Sequence, residues 1–121
     1  MTHQLKPLHW VGSAKKDLMA LPKDVVDVFG YALHLAQEGA RHPDAKPMKG
    51  FGGAGVIEVV EDYNGDTYRA VYTVKFVNSV YVLHCYQKKS KTGVGTPKED
   101  MELIERRYKK ALEHSRQIAL A

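Results

Sequence analysis

The chain has 121 residues, which is enough for one domain with a substantial core and too few for two. Hydrophobic residues make up 44% and charged residues 26%, as in ordinary soluble globular proteins. The net charge of +4 favours an acidic partner, such as nucleic acid or an acidic protein segment. The single cysteine, Cys85, excludes an internal disulfide and is expected to be a buried thiol.

The N-terminal residues lack the apolar run of a signal peptide. No stretch of the sequence approaches the roughly 18 consecutive apolar residues of a membrane-spanning helix. We therefore expect a cytoplasmic protein.

The N-terminal third predicts one strand followed by two helices. Residues 5–11 are apolar enough for a short strand, and Ser13 is a good N-cap for a short helix that ends near residue 21. Pro22 suits the first turn of a second helix, which ends near residue 38 because Gly39 follows. Proline and glycine residues then predict a loop over residues 40–55.

Three strands are predicted next, joined by two hairpins. Asn64-Gly65 is a strong signal for a type I′ turn after a strand over residues 56–62. Val77-Asn78 is interpreted as a second two-residue turn, which would pair Phe76 with Ser79. The alternation of apolar and polar residues agrees with both turns.

These turns predict which side chains are neighbours across the sheet. They place Glu58, Val71 and His84 in one row, and Val60, Arg69 and Tyr86 in the next. They also pair Tyr72 with Leu83 and Val74 with Tyr81 on the opposite, apolar face, which includes Cys85. The prediction is a polar, water-facing side of the sheet whose reverse is the core.

The chain is predicted to end in a long helix. Residues 96–99, Thr-Pro-Lys-Glu, have the capping-box spacing with proline at the first helical position. Arg106 and Arg107 are expected on the exposed face of this helix. The predicted order is β-α-α-β-β-β-α, a single α+β domain over residues 1–121 with a mostly antiparallel sheet.

Several motifs in the second half occur together: KPMKGF, GDTYRAVY, LHCYQKKS and TP. In this combination, over residues 46–111, the chain resembles the phage-related HigB-like toxins of the RelE/ParE superfamily, which belong to type II toxin–antitoxin systems. The resemblance implies a RelE-like microbial RNase fold and cleavage of messenger RNA, usually on the ribosome. It also implies neutralisation by a cognate antitoxin, expected to be a helix-turn-helix protein.

The site candidates come partly from the resemblance and partly from the residues themselves. The resemblance implies the catalytic candidates Arg69, His84, Tyr86 and Lys88, and the substrate-binding candidates Lys49 and Lys89. The other substrate-binding candidates are Lys46 and Lys91, for their charge, and Glu58, for its place in the predicted register. One departure concerns Val60, where relatives often have an arginine beside the position of Arg69. No metal or cofactor is predicted, since the remaining histidines show no metal-ligand spacing: His3, His9, His34, His42 and His114.

The chemistry that these residues suit is metal-free RNA cleavage through attack of the 2′-hydroxyl. Arg69 can bind phosphate oxygens, with Lys88 and Lys49 as point charges. His84 suits either the base or the acid, and Tyr86 suits stacking on a base or proton donation. Glu58 suits orienting Arg69 or His84.

Two other functions fit the same sequence. One is a gyrase-directed toxin of the ParE type, and the other is a catalytically decayed toxin that only binds its antitoxin. Each site residue also has a plainer interpretation. A lysine run such as residues 88–91, for example, often serves only to keep an edge strand soluble.

Overall fold

Three helices and five strands follow one another within residues 4–53, 55–88 and 97–120, the part of the chain that the computed structural model describes. In chain order they are β1 (Leu8–Trp10), α1 (Ala14–Met19), α2 (Lys23–Gln37), β2 (Ala45–Pro47), β3 (Val56–Tyr63), β4 (Asp66–Thr73), β5 (Val80–Lys88) and α3 (Lys98–Leu120). The predicted α+β class is confirmed. None of these described helices is both long and apolar enough to cross a bilayer.

The strands form one sheet in the order β1-β5-β4-β3-β2. Only β1 runs parallel to its neighbour β5, and the other pairs are antiparallel. Strand β2 lies inside the segment that the sequence predicted as a loop. It is three residues long and contains Pro47, so its extended form depends on pairing with β3 at the edge of the sheet.

The first hairpin is as predicted. Tyr63 pairs with Asp66, and the register continues to Ile57 beside Tyr72. Asn64 and Gly65 have φ angles of 50° and 81°, the left-handed conformations that a type I′ turn requires.

The second hairpin departs from its predicted register halfway along. Arg69 lies beside Tyr86 and Val71 beside His84, as predicted, but the register then shifts so that Tyr72 pairs with Val82. Leu83 is therefore the extra residue of a β-bulge, and the connection from β4 to β5 spans residues 74–79. The two-residue turn and the pairings of Tyr72 with Leu83 and of Val74 with Tyr81 were wrong.

Both faces of the sheet are covered. Helices α1 and α2 pack on the face that contains Ile57, Ala70, Tyr72, Val82 and Cys85. Helix α3 packs on the opposite face through Ile104 and Ala111. They share a cluster with five buried residues of the sheet: Val56, Val71, Tyr81, Leu83 and Tyr86. The bulge moves Leu83 from the predicted apolar face to the face under α3, and the predicted water-facing side is in fact a second core.

Helix α3 begins where the sequence placed it. Its first residue is Lys98, one position after the predicted Pro97, and the amide of Met101 donates to the carbonyl of Pro97 at 3.0 Å. The predicted capping residue, Thr96, lies outside the described residues.

Candidate functional site

Five polar or aromatic side chains come together between the sheet and the first turn of α3. We call this set the polar cluster: Glu58, Arg69, His84, Tyr86 and Asp100. Its sheet residues occupy the two predicted rows, with Glu58 and His84 flanking Val71, and with Tyr86 beside Arg69. The prediction that Arg69 and His84 share one face of the sheet is confirmed.

The acidic side of the polar cluster is Glu58, which lies between two cations. Its Oε2 atom is 3.4 Å from Nη1 of Arg69, and its Oε1 atom is 3.8 Å from Nζ of Lys46. The side chains of Glu58 and Arg69 are only 9% and 11% exposed, whereas that of Lys46 is 62% exposed. The charge of Arg69 is therefore matched by a buried carboxylate. A phosphate that binds Arg69 would have to compete with this carboxylate.

The imidazole of His84 is held by α3 and by its own strand. Its Nε2 atom is 2.8 Å from Oδ1 of Asp100, and its ring stacks on that of Tyr86 at 4.3 Å between centroids. Burial lowers the pKa of His84, and the charge of Arg107 lowers it further. The hydrogen bond and the charge of Asp100 act in the opposite direction, but the net effect is a lowered pKa. His84 is therefore neutral near pH 7.

The contact with Asp100 fixes the tautomer of His84. A carboxylate only accepts hydrogen bonds, so neutral His84 carries its proton on Nε2 and presents a lone pair on Nδ1. That Nδ1 atom is buried and has no hydrogen-bond partner among the described residues. A buried, unprotonated imidazole nitrogen backed by a carboxylate is the arrangement of a general base.

A buried arginine fixes the bulge that precedes His84. Nη1 of Arg107 donates to the carbonyl of Leu83 at 2.8 Å, and its Nη2 donates to Oγ of Ser13 at 3.0 Å. Ser13 in turn donates to Oδ2 of Asp17 at 2.7 Å. Gly12, at φ +58°, leaves room for the guanidinium, since a Cβ atom there would lie 3.0 Å from Nη2 of Arg107.

The prediction that Arg107 lies on the exposed face of its helix was therefore wrong. The residue is 9% exposed, because the bulge leaves a backbone carbonyl that the guanidinium can satisfy. Its neighbour Arg106 is exposed, as predicted.

The predicted lysines lie around the polar cluster. Lys46 and Lys49 are exposed, on β2 and in the turn after it. Lys88 is partly buried at the end of β5, where it pairs with Thr67. Lys89 and Lys91 lie outside the described residues.

Sequence reasoning missed Asp100 and Arg107. Acidic residues in the first turn of a helix are ordinarily explained by the helix dipole, so Asp100 gave no distinct signal. Arg107 follows another arginine in a charged stretch, and only its contact with Leu83 sets it apart.

The fold and the polar cluster define a class: a small α+β protein with a carboxylate-backed histidine and an arginine on one face of its sheet. Residues 16–109 match the family described as phage derived protein Gp49-like (DUF891), and the chain belongs to that family of toxin-like proteins. Among curated proteins and solved structures, no match to the chain was found.

Proposed function

We propose that this protein is the toxin of a type II toxin–antitoxin system of the HigB-like kind and cleaves messenger RNA on the ribosome without a metal. The observation that carries the proposal is the contact of His84 with Asp100, on the same side of the sheet as Arg69 and Tyr86. This set contains a base, a cation for the phosphate and a proton donor. Membership of a toxin-like family supports the toxin role in this proposal.

In the proposed reaction the 2′-oxygen of the RNA attacks the adjacent phosphorus, and the bond from phosphorus to the 5′-oxygen breaks. The proton of the 2′-hydroxyl passes to Nδ1 of His84, and Asp100 stabilises the imidazolium that forms. The phenol of Tyr86 or the ammonium of Lys88 gives a proton to the departing 5′-oxygen. A positioned base of this kind contributes roughly 10²–10⁴-fold to the rate.

Arg69 is the group that stabilises the negative charge on phosphorus in the transition state. In the free protein it is paired with Glu58, so the entering phosphate replaces a carboxylate rather than water. Lys46 and Lys49 attract the strand to this edge of the sheet because both are exposed.

The burial of His84 limits how a substrate could reach it. His84 and Tyr86 are each 7% exposed, whereas the side chain of Asp100 is 27% exposed. The substrate must therefore enter past Asp100, and we infer that the first turn of α3 shifts when the ribosome or the RNA binds.

Controlled expression in a test cell examines the proposal. We expect growth arrest and loss of a reporter mRNA, with cleavage products that end in a 2′,3′-cyclic phosphate. H84Q retains the hydrogen bond to Asp100 but lacks the base at Nδ1, so it should abolish cleavage, whereas K109A on the exposed face of α3 should not. Full toxicity of a folded H84Q protein, or induction of the DNA-damage response with intact mRNA, would overturn the proposal.

A second candidate function is favoured by the burial of His84 and Tyr86. A chain whose polar cluster is closed can act as an antitoxin-binding module with no cleavage of its own. The same expression experiment separates the two, because this candidate gives no growth phenotype. Co-purification with the product of an adjacent reading frame encoding a helix-turn-helix protein would then show that binding is retained.

A further inference from the structure

A pocket of about 330 Å³ lies between β1 and the C-terminal half of α3. Its base consists of the buried residues Tyr81 and Ala111, and Lys110 and His114 are exposed at its rim. Lys110 follows Asp100 by ten residues on α3, a separation of about 15 Å along a helix, so this pocket is distinct from the polar cluster.

Three aromatic side chains of the pocket contact one another. The ring of His9 stacks on that of Tyr81 at 4.8 Å between centroids, and it meets the ring of His114 edge-on at 5.0 Å. Burial and the charge of His114 lower the pKa of His9, so His9 presents a neutral ring near pH 7. The pocket therefore contains a stacked pair of uncharged rings, His9 on Tyr81, with the ring of His114 edge-on to both.

The hydroxyl of Tyr81 orients His114. The Tyr81 oxygen lies 2.7 Å from Nδ1 of His114, and burial raises the pKa of Tyr81, which keeps the phenol protonated. In the arrangement in which the phenol donates to Nδ1, His114 carries a proton on Nε2. The rim therefore offers an N–H donor from His114 next to the ammonium of Lys110.

None of the described residues that line this pocket carries a carboxylate: His9, Trp10, Val11, Tyr81, Lys110, Ala111 and His114. A cation and a neighbouring N–H donor favour an anion with several acceptor oxygens. The volume is at the lower end of the range for small-ligand sites, roughly 300–1,000 Å³, and exceeds what a lone phosphate needs.

We propose that this pocket binds a phosphate monoester the size of a nucleotide. The phosphate is held by Lys110 and His114, and the nucleoside lies against the ring of His9 and the apolar side chains of Val11 and Ala111. The monoester is either a free nucleotide or the 5′-phosphorylated end of an RNA strand. This inference does not depend on the polar cluster or on RNA cleavage.

Calorimetric titration of the full chain tests the proposal with adenosine 5′-monophosphate, adenosine and inorganic phosphate. We expect the monophosphate to bind more tightly than either of the others, since only it uses both parts of the pocket. Two 2′-O-methylated oligonucleotides, which cannot be cleaved through a 2′-hydroxyl, then identify the source. Tighter binding of the 5′-phosphorylated oligonucleotide than of its 5′-hydroxyl form assigns the pocket to an RNA end, and equal binding assigns it to a free nucleotide.

Matched variants locate the binding. K110A removes a charge-assisted contact and should weaken binding of the monophosphate about tenfold. K109A, with the same charge change on the adjacent exposed position, should leave binding unchanged. H114A removes the second donor, and Y81F removes the hydroxyl that contacts the imidazole of His114. The melting temperature of each variant is measured alongside.

Three results would overturn the proposal. They are equal affinity for adenosine and its monophosphate, equal effects of K110A and K109A, and no binding of any phosphate at millimolar concentration. The first means that the phosphate is not recognised, the second that the effect is general electrostatics, and the third that the pocket has no such ligand.

Discussion

Glu58 and Arg69 form the ion pair on which the polar cluster is built, and their side chains are 9% and 11% exposed. A charge buried to this extent is tolerated only with a partner, so each residue of the pair depends on the other. Lys46 is a weaker substitute for Arg69, because it is 62% exposed and 3.8 Å from Glu58. A loss of function in a variant of Arg69 would therefore report on folding as well as on the proposed phosphate binding.

The first prediction concerns this pair. R69A should lower the free energy of unfolding by about 3 kcal/mol, because it leaves a buried carboxylate without its main partner. The double variant E58L/R69M should recover most of that loss, since apolar side chains of similar length need no partner. Chemical denaturation of the wild-type, single and double variants measures both effects, and a double variant no more stable than R69A would contradict the argument.

The second prediction concerns His84. Its folded-state pKa lies below the ordinary value of 6.5, so the unfolded chain binds more protons at mildly acidic pH. The stability that His84 contributes is complete above about pH 6.5 and is lost as the pH falls through the folded-state pKa. The slope from one such residue is at most about 1.4 kcal/mol per pH unit.

Denaturation curves recorded between about pH 7.5 and pH 5 measure the free energy of unfolding as a function of pH. This range spans the unperturbed histidine pKa of ~6.5. H84Q should reduce the slope of the free energy of unfolding against pH. Part of the slope that is left should come from His9, whose pKa is also lowered. The control is H34Q, since the side chain of His34 is 50% exposed. The idea fails if H84Q and H34Q change the slope equally.

Among the elements, α3 has the largest effect on the site. Its first turn supplies Asp100 to His84, and its middle supplies Arg107 to the bulge of β5. Without the bulge, Leu83 would share the face of Tyr72, and the alternation of β5 would be the regular one that the sequence predicted. The helix and the bulge therefore depend on each other.

The third prediction tests that dependence. R107M removes two hydrogen bonds from a charged donor and should destabilise the protein by about 3 kcal/mol. R106M, the same change on the exposed neighbour, should stay within about 0.5 kcal/mol of the wild type.

The role of Arg107 in positioning His84 has its own readout. In R107M the imidazole signals of His84 in NMR titration should move toward the ordinary pKa, because the neighbouring charge that lowers it is gone. An unchanged His84 titration in a folded R107M protein would limit Arg107 to a purely structural role.

At the scale of the whole molecule, the net charge of +4 means that the proposed binding of RNA should depend on salt concentration. Its exposed cations Lys46 and Lys49 lie at the edge of the sheet nearest Glu58, so the strand should follow that edge. Electrostatic attraction of this kind gives affinity without sequence preference.

The fourth prediction is the size of this effect. The logarithm of the RNA association constant should fall linearly with the logarithm of salt concentration, with a slope near −0.7 per phosphate contacted. K46A and K49A should each reduce the slope by about 0.7, and K109A should not. A flat salt response of the wild-type protein would exclude a basic path for RNA.

The sequence by itself determined the α+β class, the hairpin at Asn64-Gly65 and the two rows that bring Arg69 beside Tyr86 and align Glu58 with His84. These features follow from local rules, since the alternation of a strand and the type of a turn depend on residues that are close together in the sequence. Only the tertiary structure decided that β2 pairs at the sheet edge, that β5 bulges at Leu83 and that α3 covers the polar rows. The reason is that each of these depends on a partner distant in sequence: the carbonyl of Leu83 meets Arg107, and His84 meets Asp100, only after the helix has packed on the sheet.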